Sequence, residues 1–495
     1  MPNYKLSKST FLKGLQCEKQ LYLHKFHYDK KDQLSSAQKV KFEQGNLVGE
    51  LAQKLFPNGK DASPENHFNM FDSVGITKDF LANGVDTIYE ATFYFNDVLA
   101  ALDILVKDEE GWKAYEVKSS TSVKDIHIPD AAVQYYTIIN SGLDLKEISI
   151  VHINNEYVRK GDLELEKLFT IVSVKDRVEE YLPKVPWEIE RFKGVLKSKQ
   201  VPTREIGTHC EKPYPCDYKG TCWKDVPTSS ILDVSGLSMK KRFEMYNSGY
   251  QQVQDLHPDE VTFTDKQWDS VNAFKTGESV INKSELAEFI QNLKYPLYYL
   301  DFETFQTAIP LYDKSKPYQQ QVFQYSLHVE DFNGSDLIHK EYLADGIKDP
   351  RLEFTKQLIQ DCQGEGDILV YNLSFEKTRL KELIEIYPEY EKGLKKIIDR
   401  LKDLMIPFQK GWYKTPEMKG SYSIKNVLPA LVPDYSYDHL AIKNGGDASS
   451  IFTAKLMGSF SGDWDKVRKQ LLDYCSLDTK AMVLILHEIL RKIES

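Results

Sequence analysis

Asp103, Glu116 and Lys118 have the residue types and the spacing of a hydrolytic metal site. In VLAALDILVKDEEGWKAYEVKSS, two strand-like segments flank the polar turn KDEEG; Asp103 lies on the first segment, and Glu116 and Lys118 lie on the second. Residues two apart on a strand point to the same face, so Glu116 and Lys118 project together, and a hairpin would bring Asp103 beside them. Two carboxylates can hold a divalent cation that polarises a phosphodiester, and a lysine can orient the attacking water. An isolated D…ExK pattern is more often a solvated hairpin, so its context must decide.

A second acidic group is distributed over the C-terminal region. YYLDFET places Asp301 and Glu303 on one face of a predicted strand. ILVYNLSFEKTRLKEL indicates a strand followed by a helix with Glu376 at the junction, and the last helix carries Tyr474 and Asp478 on one face. Four carboxylates from separate elements can hold two divalent ions about 4 Å apart, which activate water and stabilise the leaving oxygen of a phosphodiester. Mg²⁺ or Mn²⁺ suits such oxygen ligands.

Three of the six cysteines lie close together in HCEKPYPCDYKGTCW: Cys210, Cys216 and Cys222. In a reducing compartment, a local cysteine cluster more often binds metal than forms disulfides. Four thiolates can hold an iron–sulfur cluster or a zinc ion. The C-x5-C-x5-C spacing lacks the close C-x2–4-C knuckles of most zinc sites, which favours the iron–sulfur cluster and leaves zinc as the alternative. Cys362 and Cys475 are predicted to be free buried thiols.

The composition is that of an ordinary soluble globular protein. The 495 residues are 41% hydrophobic and 28% charged, and a chain of this length is expected to form two or three domains. No apolar run approaches the roughly 18 residues that span a bilayer, and MPNYKLSKSTFLKG lacks the apolar core of a secretory signal. We therefore expect a cytoplasmic protein without membrane contact. The net charge of −10 argues against a basic coat for nucleic acid, but not against a nuclease, whose metal sites consist of carboxylates.

Three regions follow one another along the chain and together predict an α/β multidomain protein. Residues 1–225 begin with a helix, pass through strands and end in the cysteine loop. Residues 226–290 have the pattern of short helices in a small adapter, with Gly236 and Gly249 suited to the turns. Residues 291–495 begin with the strand-like YPLYYLDFET and finish with a long helix.

The first region resembles the PD-(D/E)XK nucleases of the RecB-like lineage. After the D…EVK hairpin, IPDAAVQYYTIINSG predicts a helix and KEISIVHINNEYV predicts a returning strand, which is the order of that lineage's core, and LSKSTFLKGLQCEKQLYL resembles its opening helix. The resemblance implies that Asp103 and Glu116 are metal ligands, that the Val117 carbonyl also ligates metal, and that Lys118 is the catalytic lysine. Gln134 and Tyr135, in the helix that follows the hairpin, fall where the lineage often has a Gln and a Tyr that contact DNA. Where many relatives have a histidine, this chain has GNLVGE.

Iron–sulfur members of the same lineage place one cysteine before the catalytic core and three after it. Cys17 lies in the opening helix, and the three clustered cysteines follow the core. The resemblance therefore implies that Cys17, Cys210, Cys216 and Cys222 hold a 4Fe–4S cluster that joins the two ends of the domain.

The C-terminal region resembles the DEDDy-type 3′–5′ exonucleases, which have an RNase H-like fold. The order DxE, then N-x3-E after a strand, then Y-x3-D in a terminal helix matches their three motifs, except that Glu376 stands where the family normally has aspartate. The resemblance implies that Asp301, Glu303, Glu376 and Asp478 are metal ligands and that Tyr474 positions the attacking water. The stretch GSYSIKNVLPALVPDYSYDHLAIKNGGDAS is similar to one in a bacterial family of uncharacterised proteins that join the two nuclease-like regions.

The sequence thus predicts a metal-dependent nuclease that hydrolyses nucleic acid, with DNA expected ahead of RNA. It would comprise a PD-(D/E)XK domain over residues 1–225 with its cysteine clasp, a helical linker over 226–290 and an RNase H-like exonuclease domain over 291–495. Because the chain has no G-x4-G-K-[ST] motif, unwinding would need a partner such as a helicase. Two alternatives remain open: only one site is active and the other clamps nucleic acid, or the chain is a non-catalytic nucleic-acid-binding scaffold in a DNA repair or defence complex.

Overall fold

A computed structural model of the chain describes residues 5–66, 69–234 and 236–495. The chain divides into two compact units: unit 1 comprises Met1–Asp225 and Thr307–Tyr318, and unit 2 comprises Val226–Gln306 and Gln319–Ser495. Both units combine β-sheet with packed helices, so the predicted α/β multidomain class is confirmed. The finer division at residues 225 and 290 stays a prediction.

Unit 1 is built on a mixed sheet. Its described strands are β1 (Leu6–Ser7), β2 (Lys60–Asp61), β3 (Thr87–Phe95), β4 (Val98–Asp108), β5 (Gly111–Lys118), β6 (Leu145–Ile153) and β7 (Phe169–Ser173). The spatial order is β2-β3-β4-β5-β6-β7, and β1 pairs with the start of β4. Strands β3, β4 and β5 form an antiparallel meander, β6 runs parallel to β5, and β7 returns antiparallel. The hairpin closes through Gly111, whose φ of +127° suits glycine.

Helices of unit 1 cover this sheet and supply its core. Their bounds are α1 (Lys8–Gln16), α2 (Glu18–Phe26), α3 (Ser36–Gln53), α4 (Asp72–Ala82), α5 (His127–Asn140), α6 (Leu165–Leu168), α7 (Lys175–Tyr181), α8 (Lys184–Lys197) and α9 (Lys219–Cys222). Ser7 caps α1 by accepting the N–H of Thr10, which fixes where that helix begins. The apolar side of α5, including Ala131 and Ile138, joins the buried core with strand residues such as Leu102. Helix α5 and the hairpin are therefore held together by apolar burial.

Unit 2 contains a second mixed sheet with β9 at its centre. Its strands are β9 (Leu297–Phe305), β10 (Gln321–Glu330), β11 (Leu337–Leu343), β12 (Ile368–Val370) and β13 (Leu401–Asp403), and a separate small pair joins β8 (Val280–Ile281) to β14 (Tyr413–Lys414). The order is β11-β10-β9-β12-β13, in which β9 is antiparallel to β10 and parallel to β12. Strand β9 is buried on both faces, and six of its nine residues are apolar; the exceptions are Asp301, Glu303 and Thr304.

Ten described helices complete unit 2, and the last is the longest. They are α10 (Met239–Asn247), α11 (Asp265–Thr276), α12 (Lys283–Gln291), α13 (Arg351–Asp361), α14 (Leu373–Ile386), α15 (Glu391–Arg400), α16 (Ile406–Gln409), α17 (Ile424–Leu431), α18 (Gly445–Leu456) and α19 (Trp464–Glu494). Helix α19 buries Leu471, Met482, Ile485 and Ile489, which are spaced at helical period along one side. No helix within the described ranges is long and apolar enough to cross a membrane.

Candidate active sites

The β4–β5 hairpin of unit 1 brings the first predicted group together. Asp103 lies within β4, Glu116 and Lys118 lie near the end of β5, and the backbone N–H of Val117 donates to Asp103 Oδ2 at 2.6 Å. The structure therefore joins these residues as the strand pattern predicts. Burial, followed by the nearby charge of Glu116, raises the pKa of Asp103 to about 7. The role of the Val117 carbonyl as a metal ligand stays a prediction.

Glu116 is the most enclosed carboxylate of this site, with 2% of its surface exposed. Its Oε1 accepts hydrogen bonds from Lys118 Nζ and Lys8 Nζ, each at 2.7 Å, whereas its Oε2 is buried without a hydrogen-bond partner. Burial opposes ionisation, but the charges of Lys118 and Lys8 outweigh it and lower the pKa of Glu116 to about 2. An ionised carboxylate with one unpaired buried oxygen fits a divalent cation.

Three further residues complete the surroundings of the first site, and sequence reasoning missed all three. Lys8 reaches Glu116 from the first turn of α1, 108 residues away in the chain, so no local pattern could indicate it. Asp130, on α5, accepts a hydrogen bond from Lys118 Nζ and holds that ammonium between two carboxylates. Glu90 lies on β3 with the left-handed φ of 53°, and burial, then the charge of Asp103, raises its pKa to about 8. A strained, buried acid beside a carboxylate pair is typical of functional sites.

The predicted DNA contacts of α5 are not presented at the surface. Gln134 is fully buried and donates weakly to the Asp130 carbonyl at 3.3 Å, and Tyr135 is 7% exposed. The structure therefore places both side chains in the packing between α5 and the sheet.

The four predicted cluster cysteines meet in unit 1 despite their separation in sequence. Cys17 lies between α1 and α2, and it lines one small cavity together with Cys210, Cys216 and Cys222. All four thiols are free. Burial raises the pKa of the Cys216 thiol to about 12, and each of the other three thiols adds to that effect, which shows that they face one another. A soft cation would offset this rise in the thiol pKa by stabilising the thiolate forms.

The spacing of the thiols bears on which group they would hold. Four sulfurs around one zinc ion lie about 3.8 Å apart, given a Zn–S distance near 2.3 Å in a tetrahedron. Among the described residues, the thiols do not form a group in which all ligand atoms lie within 4.8 Å of one another. The spacing of the four thiols therefore differs from that of one tetrahedral zinc site, and the choice between an iron–sulfur cluster and zinc stays a prediction.

In unit 2, three of the four predicted carboxylates converge. Asp301 and Glu303 project from the same face of β9, and Asp478 reaches them from α19. One oxygen from each of these three carboxylates lies within 4.8 Å of the others, which is a grouping able to hold a metal ion. Burial, then the charge of Asp478, raises the pKa of both Asp301 and Glu303, to about 8 for Glu303. Burial raises the pKa of Asp478 to about 6. Three buried carboxylates that resist ionisation together fit a divalent cation, which would stabilise their charged forms.

Tyr474 stands beside this group, and a lysine of α17 holds its hydroxyl. Lys425, on α17, donates to the Tyr474 hydroxyl at 3.0 Å and to the Lys443 carbonyl at 2.8 Å. Burial lowers the pKa of Lys425, although the surrounding carboxylates oppose that effect. Burial also raises the pKa of Tyr474, so that its hydroxyl stays protonated. Tyr437 donates to Asp478 at 2.7 Å and fixes that carboxylate from the other side.

Glu376 is close to the three-carboxylate group without joining it. It lies in the first turn of α14, it is 1% exposed, and its Oε2 is buried without a hydrogen-bond partner. Burial raises its pKa to about 8, and Asp403 contributes to that rise. Its charge in turn helps to raise the pKa of Asp301, so the two are electrostatic neighbours. The unpaired oxygen of Glu376 is available to a second cation.

Two close contacts at the second site carry no obvious signal in the sequence. A Cβ built on Gly445, the first residue of α18, would lie 3.2 Å from Glu303 Oε2, so the backbone of α18 approaches this carboxylate closely. The buried thiol of Cys475 lies 3.7 Å from Asp301 Oδ2, so that cysteine is free and buried as predicted but also contacts the site.

Comparison with known proteins identifies relatives without an assigned function. Residues 298–423 match DUF2779, a domain of unknown function; this range contains Asp301, Glu303 and Glu376, whereas Tyr474 and Asp478 lie beyond it. The chain is 27% identical over 427 residues to the uncharacterized protein UU173 of Ureaplasma parvum serovar 3, covering 79% of this chain and 60% of that protein. It is 31% identical over 230 residues to the uncharacterized MG366 homolog of Mycoplasma pneumoniae, covering 43% of this chain and 34% of that protein. The predicted similarity to uncharacterised bacterial proteins is confirmed, and the likeness to nucleases stays a prediction.

Proposed function

We propose that this protein is a metal-dependent nuclease that hydrolyses phosphodiester bonds of nucleic acid, with DNA as the expected substrate. The observation that carries the proposal is the convergence of Asp301, Glu303 and Asp478 within 4.8 Å, beside the hydroxyl of Tyr474. The strand order of unit 2, with the central strand antiparallel to one neighbour and parallel to the other, supports an RNase H-like domain. The carboxylate hairpin of unit 1 supports a second, PD-(D/E)XK-type site.

At the second site, Asp301, Glu303, Asp478 and Glu376 would hold Mg²⁺ or Mn²⁺. When bound, these ions would lower the pKa of water and stabilise the charge that develops on the leaving oxygen. The Tyr474 hydroxyl, kept protonated by its surroundings, orients the attacking water.

At the first site, Asp103 and Glu116 would hold one such ion. Lys118, held between Glu116 and Asp130, provides the fixed positive charge that offsets charge developing on the phosphate. Lys8 adds a second cation on the same carboxylate. In the absence of metal, the two ammonium groups keep Glu116 ionised and therefore ready to bind.

The test is a comparison of single-site variants on defined substrates. Full-length protein, Lys118→Ala and Asp301→Ala are incubated with Mg²⁺ or Mn²⁺ and end-labelled single- and double-stranded DNA and RNA. We expect Asp301→Ala to lose stepwise shortening from the 3′ end and Lys118→Ala to lose the remaining cleavage. The exposed residues Lys78 and Asp336 provide matched alanine controls. The proposal is overturned if the unaltered protein cleaves none of these substrates in the presence of Mg²⁺ or Mn²⁺.

A single working site is the second candidate, and the position of Glu376 favours it. Because Glu376 stays outside the group formed by the other three carboxylates, the C-terminal site is the one that would act only as a clamp. In that case Lys118→Ala abolishes all cleavage and Asp301→Ala weakens only binding. A non-catalytic scaffold would instead bind DNA without any need for metal.

We propose further that the four cysteines hold a 4Fe–4S cluster, with zinc as the alternative. Protein purified without oxygen should be brown and contain iron and acid-labile sulfide, and Cys17→Ser should lose both. The buried Cys362 lies in unit 2 and provides the matched serine control. A colourless protein that contains one zinc ion per chain would exclude the cluster. A helicase or another component of a repair or defence complex is the expected partner.

A further inference from the structure

A cavity of about 210 Å³ lies within unit 2, and none of the four carboxylates or Tyr474 lines it. Its wall combines apolar and aromatic side chains with hydrogen-bonding groups. Phe274, Phe408, Met418 and Tyr422 form the apolar part. Gln409, Lys414 and Ser421, whose side chains end in amide, ammonium and hydroxyl groups, also line this cavity. Apolar walls with a few polar groups are typical of small-ligand sites.

The cavity is connected to the second site by two short paths through the structure. Tyr371 donates its hydroxyl to the carbonyl of Tyr422 at 2.8 Å, and it directly precedes Asn372, the residue before the helix that carries Glu376. On the other path, Ser423 follows the cavity wall and directly precedes α17, whose Lys425 donates to the Tyr474 hydroxyl. A ligand in the cavity would therefore lie beside both elements that position the catalytic side chains.

The loop that forms this wall has a conformation that L-residues rarely adopt. Lys419 and Gly420 have φ of 50° and 66°, so two consecutive residues are left-handed just before Ser421 and Tyr422. A non-glycine residue in this region costs free energy, and such positions cluster at ligand-binding segments. Tyr422 follows this turn, lines the cavity and is 45% exposed.

The size and the chemistry of the cavity favour one heterocyclic ring. At about 210 Å³ it is smaller than sites for drug-sized ligands, which begin at about 300 Å³. Aromatic side chains stack on nucleobases with little dependence on sequence, and amide and hydroxyl groups bind base edges. Lys414 supplies a positive charge for the phosphate attached to such a base.

We propose that this cavity binds one nucleobase of the substrate strand near the 3′ end that the second site shortens. This inference rests on the proposed nuclease function. It assigns Tyr422 and Phe274 as stacking residues. It predicts that removing the base at one fixed distance from the cleaved bond weakens binding of the strand.

The test uses a series of oligothymidylates of equal length, each with a single abasic position at a different distance from the 3′ end. Affinity is measured by fluorescence anisotropy with Asp301→Asn protein, and the single-turnover shortening rate is measured with the unaltered active site. We expect one abasic position to weaken binding about tenfold, because the stacking of that base on the aromatic side chains is lost. Tyr422→Ala should bind the intact strand about tenfold more weakly and should no longer distinguish that position. The backbone carbonyl that Tyr371 binds is kept in this variant.

Tyr435→Ala provides the matched control, because Tyr435 is also an exposed tyrosine of unit 2 but does not line the cavity. It should retain the response to the abasic position. If the unaltered protein shortens DNA but responds equally to every abasic position, the cavity does not bind a base and the inference is wrong. If the protein neither binds nor cleaves any oligonucleotide, the proposed function itself fails.

Discussion

Replacing Glu303 by glutamine should stabilise the metal-free protein while abolishing metal binding at the second site. Burial, together with the charge of Asp478, raises the pKa of Glu303 from 4.5 to about 8. For a carboxyl group whose pKa is higher in the folded state, the folded state binds more protons, so stability falls as pH rises from about 4.5 to 8. Glutamine has nearly the same shape but no charge, so Glu303→Gln should remove this loss of stability at higher pH.

The size of the effect follows from the same values. One pH unit above 4.5 corresponds to about 1.4 kcal/mol, so the loss due to Glu303 is about 3 kcal/mol at pH 7 and less than about 1 kcal/mol at pH 5. For a unit of this size, about 3 kcal/mol corresponds to a rise in Tm of about 6–12 °C. Differential scanning calorimetry in EDTA at pH 5, 7 and 8 should therefore show Glu303→Gln increasingly more stable than the unaltered protein as pH rises. Mn²⁺ should raise the Tm of an Asp103→Asn variant, which lacks the first proposed metal site, and leave that of the Asp103→Asn/Glu303→Gln double variant unchanged.

Glu365→Gln is the control, because Glu365 is exposed and lies in the segment before β12. It should leave the Tm and its dependence on Mn²⁺ as they are. The reasoning is refuted if Glu303→Gln is less stable than the unaltered protein in EDTA at pH 8, or if Mn²⁺ still raises the Tm of the double variant. Either result would mean that Glu303 is not a buried metal ligand whose pKa is raised by burial and by the nearby charge of Asp478.

Two further predictions concern the residues that surround this ligand group. Gly445→Ala places a methyl group 3.2 Å from Glu303 Oε2 and should reduce Mn²⁺ affinity about tenfold by calorimetric titration, whereas Gly194→Ala, with nothing within 4 Å, should not. Lys425→Met removes a cation that favours ionisation of Glu303 and hydrogen-bonds Tyr474, so the pH at which cleavage reaches half its maximum should rise and kcat should fall about 10–100-fold. An unchanged pH profile in Lys425→Met would show that this lysine only packs the loop.

The parts of the fold that sequence could predict are those determined by local periodicity. The KDEEG turn between two strand-like segments predicted the hairpin that joins Asp103 to Glu116, and the antiparallel pairing of Ile104 with Tyr115 places those two residues side by side. Likewise, Tyr474 and Asp478 lie one helical turn apart, so their common face followed from the helix alone. In both cases a few neighbouring residues determine the geometry.

Contacts between distant segments were not predictable in this way. Thr307–Tyr318 follows β9 of unit 2 in sequence but belongs to unit 1, where Arg159 donates to the carbonyls of Pro310 and Leu311 at 3.0 and 2.9 Å. These bonds use backbone acceptors, which every residue possesses, so the sequence carries no sign of them. Lys8 was missed for a related reason: its ammonium group is typical of a solvated helix face, and only the packing of α1 brings it to Glu116.

Glu376 shows most directly why motif resemblance predicts an element better than it predicts a ligand. Asp403 accepts the backbone N–H groups of Asn372 and Leu373, at 3.2 and 3.0 Å, from 31 and 30 residues away, and this fixes the first turn of α14. Once that backbone is fixed, side-chain length decides where the carboxylate ends, and glutamate extends one carbon–carbon bond further than the aspartate of the motif. The three carboxylates with the motif's own residue types meet within 4.8 Å, and the substituted one does not join them. The pattern N-x3-E therefore predicted the junction of β12 and α14 where Glu376 lies, whereas the position of the first turn of α14 depends on Asp403, which belongs to none of the motifs.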